Sequence, residues 1–268
     1  MEHATLILAT IVLYLLAALS FTLRVLREGE GTLVLRAGMG LGLLAVLGHG
    51  AVLYATTLVA DGLQMGFFNA GSLVAWLMAA LVLLAALRMP VENLAVVVLP
   101  IGAVALAISA LFGPVEVGEA RIHMGLKAHV LSSVLAYSVL SIAALQSVVL
   151  AWQDYRLRHR QPGGLVRLLP PLRVMEVMLF RMLWLGFAML SLALATGVVF
   201  LEDIFGQHLV HKTTLSIAAW LVFAVLLFGH WQYGWRGRTA IRWTLGGFFA
   251  LMLAYFGTKL VLELILGR

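Results

Sequence analysis

The stretch AHVLSSVLAYSVLSIAALQSVVLAW, residues 128–152, decides the fold. Between Lys127 and Asp154 it holds no charged side chain, only serines, a tyrosine, a glutamine and one histidine among apolar residues. A helix needs roughly 20 such residues to cross the hydrocarbon core of a bilayer. Seven further runs pass the same test, at about 4–24, 36–58, 67–88, 93–112, 180–201, 211–231 and 241–264. The sequence therefore predicts an all-α integral membrane protein of eight transmembrane helices, forming one membrane domain over residues 1–268.

Composition points the same way. The chain is 63% hydrophobic and 11% charged, with a mean hydropathy of +1.04. A soluble domain of this size buries only about three quarters of its surface, too little to hide so much apolar area. The alternating ten-residue segments of a β-barrel are absent from the sequence pattern. The first run follows Met1, Glu2 and His3 without a basic leader and is long for a signal peptide, so it is expected to remain as an anchor. The chain has no cysteine, which excludes thiol relay, disulfide exchange and thiolate ligation by its own side chains.

Basic residues set the expected orientation. The connections after spans one, three, five and seven, with their flanks, hold Arg24, Arg27, Arg36, Arg88, Arg156, Arg158, Arg160, Arg167, Arg173, Arg181, Arg236, Arg238 and Arg242. The opposite side holds only Arg121, Lys127, Lys212, Lys259 and Arg268. The arginine-rich side is expected to be cytoplasmic, with both termini extracytoplasmic. The net charge of +6 is thus a topology signal rather than a nucleic-acid patch. The longest connection, QDYRLRHRQPGGLVRLLPPLRVMEVML at 153–179, is broken by prolines and glycines. It reads either as a basic cytoplasmic loop or as one carrying a short amphipathic helix at the inner leaflet.

Ionisable groups inside spans are costly, so each histidine there is a functional candidate. His49 lies within span two between Gly48 and Gly50, His129 just inside the outer end of span five, and His211 at the outer start of span seven. Neutral imidazole ligates metals and haem iron well. Each residue also has a plainer reading. His49 can hydrogen-bond between helices whose approach the glycines permit. His129 can be a packed histidine on the face of Ser133, Ala136 and Tyr137. His208 and His211 with Glu202 and Asp203 allow a zinc site, although H-x-x-H is weak without a third fixed ligand. Lys259 and Glu263, four apart, suit mutual neutralisation. The tryptophans fall mostly near span ends, where interfacial belts put them.

Three stretches carry a resemblance. They are HVLSSVLAYS at 129–138, TGVVFLEDIFGQHLVHKTTLSIAAWLVFAVLL at 196–227 and WRGRTAIRWTLGGFFALMLAYFGTKLV at 235–261. Their order and spacing resemble the cytochrome c assembly family, the CcsA-type haem-handling membrane proteins, and most of all its short YpjD/HemX-like branch. The resemblance implies a bacterial inner-membrane protein, a haem ligand at His129, and an outer loop that presents haem. Where the family carries W-G-x-x-W-x-W-D, this chain reads Phe205, Gly206, Gln207, His208, Leu209, Val210, His211 and Lys212. His211 then stands as the candidate second axial ligand opposite His129, with Lys127, Arg121 or Lys212 near the haem propionates.

The expected function is haem binding or handling linked to cytochrome c biogenesis, through a bis-histidine haem b at the outer face. Its partners would be haem, the lipid bilayer and a membrane protein of cytochrome c or haem metabolism. The alternative is a non-catalytic, HemX-like regulator or scaffold of tetrapyrrole synthesis. A transporter is disfavoured because the spans lack paired mid-membrane acids and a clear inverted repeat. Covalent catalysis is disfavoured because no nucleophile–base pair stands out.

Overall fold

The computed structural model describes residues 2–27, 31–59, 62–63, 66–112, 124–160, 163–200 and 210–260. Eight long helices follow one another: α1 (Glu2–Leu26), α2 (Thr32–Thr57), α3 (Phe67–Ala86), α4 (Glu92–Phe112), α5 (Met124–Arg158), α6 (Leu172–Phe200), α7 (Val210–Tyr233) and α8 (Gly237–Met252). All eight are long and apolar enough to cross a membrane, as expected. A two-residue antiparallel pairing of Leu58–Val59 with Gly62–Leu63 is the only strand structure among the described residues.

The helices match the apolar runs but do not stop where those runs stop. α5 continues past the expected 152 to Arg158, and α6 begins at Leu172 rather than near 180. Hydropathy marks the part of a helix that sits in hydrocarbon, whereas helix ends are set by caps and charge. Arg156 and Arg158 occupy the last turn of α5, where the carbonyl end of the helix dipole favours cations. Arg160, at φ 54°, then takes the left-handed conformation that commonly ends a helix. Pro171 starts α6, its carbonyl accepting from the N–H groups of Val174 and Met175 at 2.8 and 3.2 Å. Between the two helices lies a single 3₁₀ turn, Gly164–Leu168, in place of the amphipathic α-helix offered as one reading.

The chain divides into two compact units. In the first, α1 packs on α2 and α4, and α3 closes the ring by packing on α2 and α4. Its fully buried side chains include Tyr14, Phe21, Leu94, Leu99 and Leu106. Gly102 leaves room for the Tyr14 ring, since a Cβ there would lie 3.2 Å from it. An Arg24 to Glu92 ion pair of 3.2 Å ties α1 to the first turn of α4.

The second unit repeats the ring with α5 to α8: α5 packs on α6 and α8, and α7 packs on both as well. Here α5 is the central element. Its spanning window is 67% buried against 28% for α6 and α7, which turn most of their surface outward. The unit's fully buried side chains include Leu140 and Leu150 of α5, Met175, Leu179 and Leu183 of α6, and Phe223 and Leu226 of α7. α8 passes into a π-helical turn at Leu253–Gly257.

Candidate functional site

Of the three candidate histidines, His49 is the most enclosed. It has no exposed surface. Tyr14 Oη lies 3.1 Å from its Nδ1, and Ser72 Oγ lies 2.9 Å from its Nε2. A neutral imidazole offers one donor and one acceptor, and both are used between α1, α2 and α3. The flanking glycines permit this. A Cβ at Gly48 would fall 2.5 Å from Thr10 Oγ1, and one at Gly50 would fall 3.3 Å from Trp76 Nε1. Trp76, midway along α3, donates to the Val46 carbonyl at 2.8 Å and so ties α3 to α2.

His129 sits in the second turn of α5 and is half-buried. Its Nδ1 lies 2.9 Å from the Ala193 carbonyl of α6. A carbonyl only accepts, so Nδ1 carries the proton and the Nε2 lone pair points away from that contact. Nε2 makes no hydrogen bond within the described residues. An imidazole whose other nitrogen donates to a carbonyl has the arrangement that orients histidine ligands at metal centres.

Two turns further along α5, buried Tyr137 donates to the Leu251 carbonyl of α8 at 2.5 Å. Its ring meets those of Tyr255 and Phe256 edge-on, with centroids 5.8 and 6.1 Å away. The ammonium groups of Lys212 and Lys259 lie 5.9 and 5.7 Å from the Tyr255 ring centre. The first turn of α7, the end of α8 and α5 are thereby joined through aromatic and cation–π contacts. Lys259 was expected beside Glu263, which lies outside the described residues; here it reaches back to Tyr255.

His211 is in the first turn of α7, exposed, next to Lys212. It shares the second unit with His129, on helices that are each packed against α6 and α8. His49 belongs to the first unit. Glu202, Asp203, His208 and Arg121 lie outside the described residues. Among the described residues, no three His, Asp or Glu side chains gather closely enough to hold a metal ion.

Sequence reasoning missed a further tie and a cleft. Trp220 donates to Ser191 Oγ at 2.8 Å and stacks on Phe187 at 5.4 Å, joining α7 to α6. Near the arginine-rich end of α6, a cleft of about 270 Å³ is lined by Arg173, Arg181, His230 and Arg236 among others. Arg236 comes from a separate connection, far along the sequence from Arg173 and Arg181, so no sequence pattern announced the cleft.

A ring of four helices, each long and apolar enough to cross a membrane, defines the class: a multi-pass α-helical membrane protein. The sequence model of the cytochrome c assembly protein family matches residues 39–266, and the chain belongs to that family. It is similar to the inner membrane protein YpjD of Escherichia coli K12, at 32% identity over 205 residues, 76% of this chain and 78% of that protein. It is also similar to the cytochrome c biogenesis protein CcsA of Picosynechococcus, at 26% identity over 43% of this chain and 35% of that protein. CcsA of Cyanophora paradoxa is 29% identical over 31% of this chain and 26% of its own length. No solved structure matches. With eight spanning helices and this kinship, the chain is a multi-pass protein of the bacterial inner membrane.

Proposed function

We propose that this protein binds or handles haem in support of cytochrome c biogenesis, with haem b held between His129 and His211 on the extracytoplasmic side. The observation that carries the reading is the fixed tautomer of His129, whose Nδ1 donates to Ala193 O at 2.9 Å and leaves Nε2 without a partner among the described residues. The donor types suit haem iron: two imidazoles on a chain without cysteine. A haem ligated by two histidines supplies a low-spin redox centre with no open position for oxygen.

The chain's own residues then do three things. Ala193 O holds the His129 ring in plane. His211 is presented by the first turn of α7, diagonal to α5 in the four-helix ring. Lys127, exposed at the start of α5, and Lys212 provide ammonium groups for propionate carboxylates at that end. His49, with both nitrogens hydrogen-bonded, is assigned to packing in the first unit.

The test is the optical spectrum and haem content of the purified protein and of His129→Ala and His211→Ala. Loss of the Soret band in each variant is the expected result; unchanged haem in both sinks the ligand assignment. The replacement of the family's tryptophans by the residues at 205–212 favours a second reading, a non-catalytic HemX-like regulator or scaffold. A deletion strain with normal c-type cytochromes and altered tetrapyrrole levels would select it.

A further inference from the structure

The cleft of about 270 Å³ lies where the arginine-rich ends of α6 and of the α7–α8 turn meet. From α6 it takes Arg173, Val177, Phe180, Arg181 and Trp184, positions three or four apart and hence on one face of a helix. The turn contributes His230 and Arg236, and it is rigidly made. Gly234 and Gly237 adopt φ of +66° and +55°, a left-handed backbone that glycine takes without steric cost. His230 Nδ1 donates to the Trp235 carbonyl at 2.8 Å, and Phe180 stacks on the His230 ring at 3.5 Å.

The charge inside this cleft is not balanced. Its one acid, Glu176, already accepts from the Gly237 N–H at 2.8 Å. Arg173, Arg181 and Arg236 make no hydrogen bond or ion pair among the described residues. Arg181 is exposed at the start of the sixth apolar run, about 13 Å along α6. A guanidinium there can reach the headgroup level and attract an anionic counter-charge. Val177 and Trp184, which also line the cleft, are 48% and 52% exposed, so apolar side chains border it on the exposed face of α6.

Size decides what the counter-charge belongs to. At about 270 Å³ the cleft is at the low end of pockets that enclose a whole small molecule, about 300 to 1,000 Å³. That size suits a headgroup whose remainder lies outside it. We propose that the cleft binds the phosphate headgroup of an anionic membrane lipid, whose acyl chains lie along Val177 and Trp184. Guanidinium groups pair with phosphate oxygens in a fork geometry, and basic pockets between spanning helices are a known form of lipid site.

The experiment uses the full-length protein, delipidated in detergent and titrated with phosphatidylglycerol or phosphatidylcholine under native mass spectrometry. Wild type is expected to retain phosphatidylglycerol about tenfold better than phosphatidylcholine, the value of one charge-assisted hydrogen bond. The variant Arg173→Gln/Arg181→Gln/Arg236→Gln should lose that preference, while Arg181→Lys keeps most of it. Inorganic phosphate at the same concentration should not displace the lipid; displacement would make the site one for free phosphate and overturn the proposal. Equal retention of both lipids by wild type, or an unaltered preference in the triple variant, would overturn it too. Should the triple variant not fold, Arg181→Gln and Arg236→Gln are read singly, each with a loss of about threefold expected and no loss in either counting against the site.

Discussion

His129 and Ala193 are joined side chain to backbone across the α5–α6 contact, Nδ1 to carbonyl oxygen, at 2.9 Å. The bond does little for stability, since a net hydrogen bond contributes about 1 kcal/mol. Its consequence is chemical: it settles which nitrogen is protonated and leaves the other with its lone pair.

That relationship predicts chemical rescue. His129→Gly removes the imidazole but leaves the Ala193 carbonyl and a cavity of imidazole size. The variant should purify without a Soret band and regain it when free imidazole is added at millimolar concentrations. Free imidazole can donate to the same carbonyl and present its second nitrogen. A variant that keeps full haem without imidazole would remove His129 from the ligand set.

The first unit predicts a different kind of behaviour at His49. Truncating one member of a buried hydrogen-bonded trio strands the others, at about 1–3 kcal/mol for each unsatisfied group. His49→Leu should therefore lower the thermal midpoint, because the Tyr14 and Ser72 hydroxyls lose their partner. Adding Tyr14→Phe and Ser72→Ala should restore much of the loss. Haem content should not follow these changes. A triple variant less stable than His49→Leu would show that the three side chains do not act as one hydrogen-bonded unit.

Much of this was legible in the sequence, and what was not has physical reasons. Eight apolar runs foretold eight helices because a bilayer imposes length and polarity on every span. Gly48 and Gly50 foretold the close helix approaches on either side of His49. Helix ends at Arg158 and Leu172 escaped, because caps and charges set them and hydropathy does not. Trp76 and Trp220 read as interfacial by type, but their N–H groups meet a carbonyl and a serine on neighbouring helices. Division into two rings also escaped, since a composition uniform in grease gives no linker signal. At the candidate site, the sequence picked out His129 and His211 but held no sign of Ala193, whose backbone alone takes part.

Packing within the second unit can be tested with two glycines. At Gly186 a Cβ would meet Leu140 side-chain atoms at 2.6 and 2.7 Å, whereas nothing lies within 4 Å of a Cβ at Gly246. Gly186→Ala should cost about 1–3 kcal/mol by overpacking α6 against α5. Gly246→Ala, on the exposed side of α8, should be neutral or gain up to about 1 kcal/mol from helix propensity. Unfolding in detergent by heat or denaturant measures both. Equal effects would mean that α5 and α6 are not in the close contact described.

The arginines predict an orientation, and the absence of cysteine makes it directly measurable. Single cysteines at Arg160 and Gln232, both exposed at the arginine-rich end, can be compared with one at Lys127, exposed at the start of α5. A membrane-impermeant maleimide applied to intact spheroplasts should label Lys127→Cys and spare Arg160→Cys and Gln232→Cys until the membrane is broken. The physical ground is the cost of moving arginine-rich connections across the bilayer, which holds them on the cytoplasmic side. The proposed haem site at the His129 end and the proposed lipid cleft at the Arg181 end would then face opposite compartments. The reverse labelling pattern would invert both assignments, placing the imidazoles on the cytoplasmic side, away from where cytochrome c is assembled.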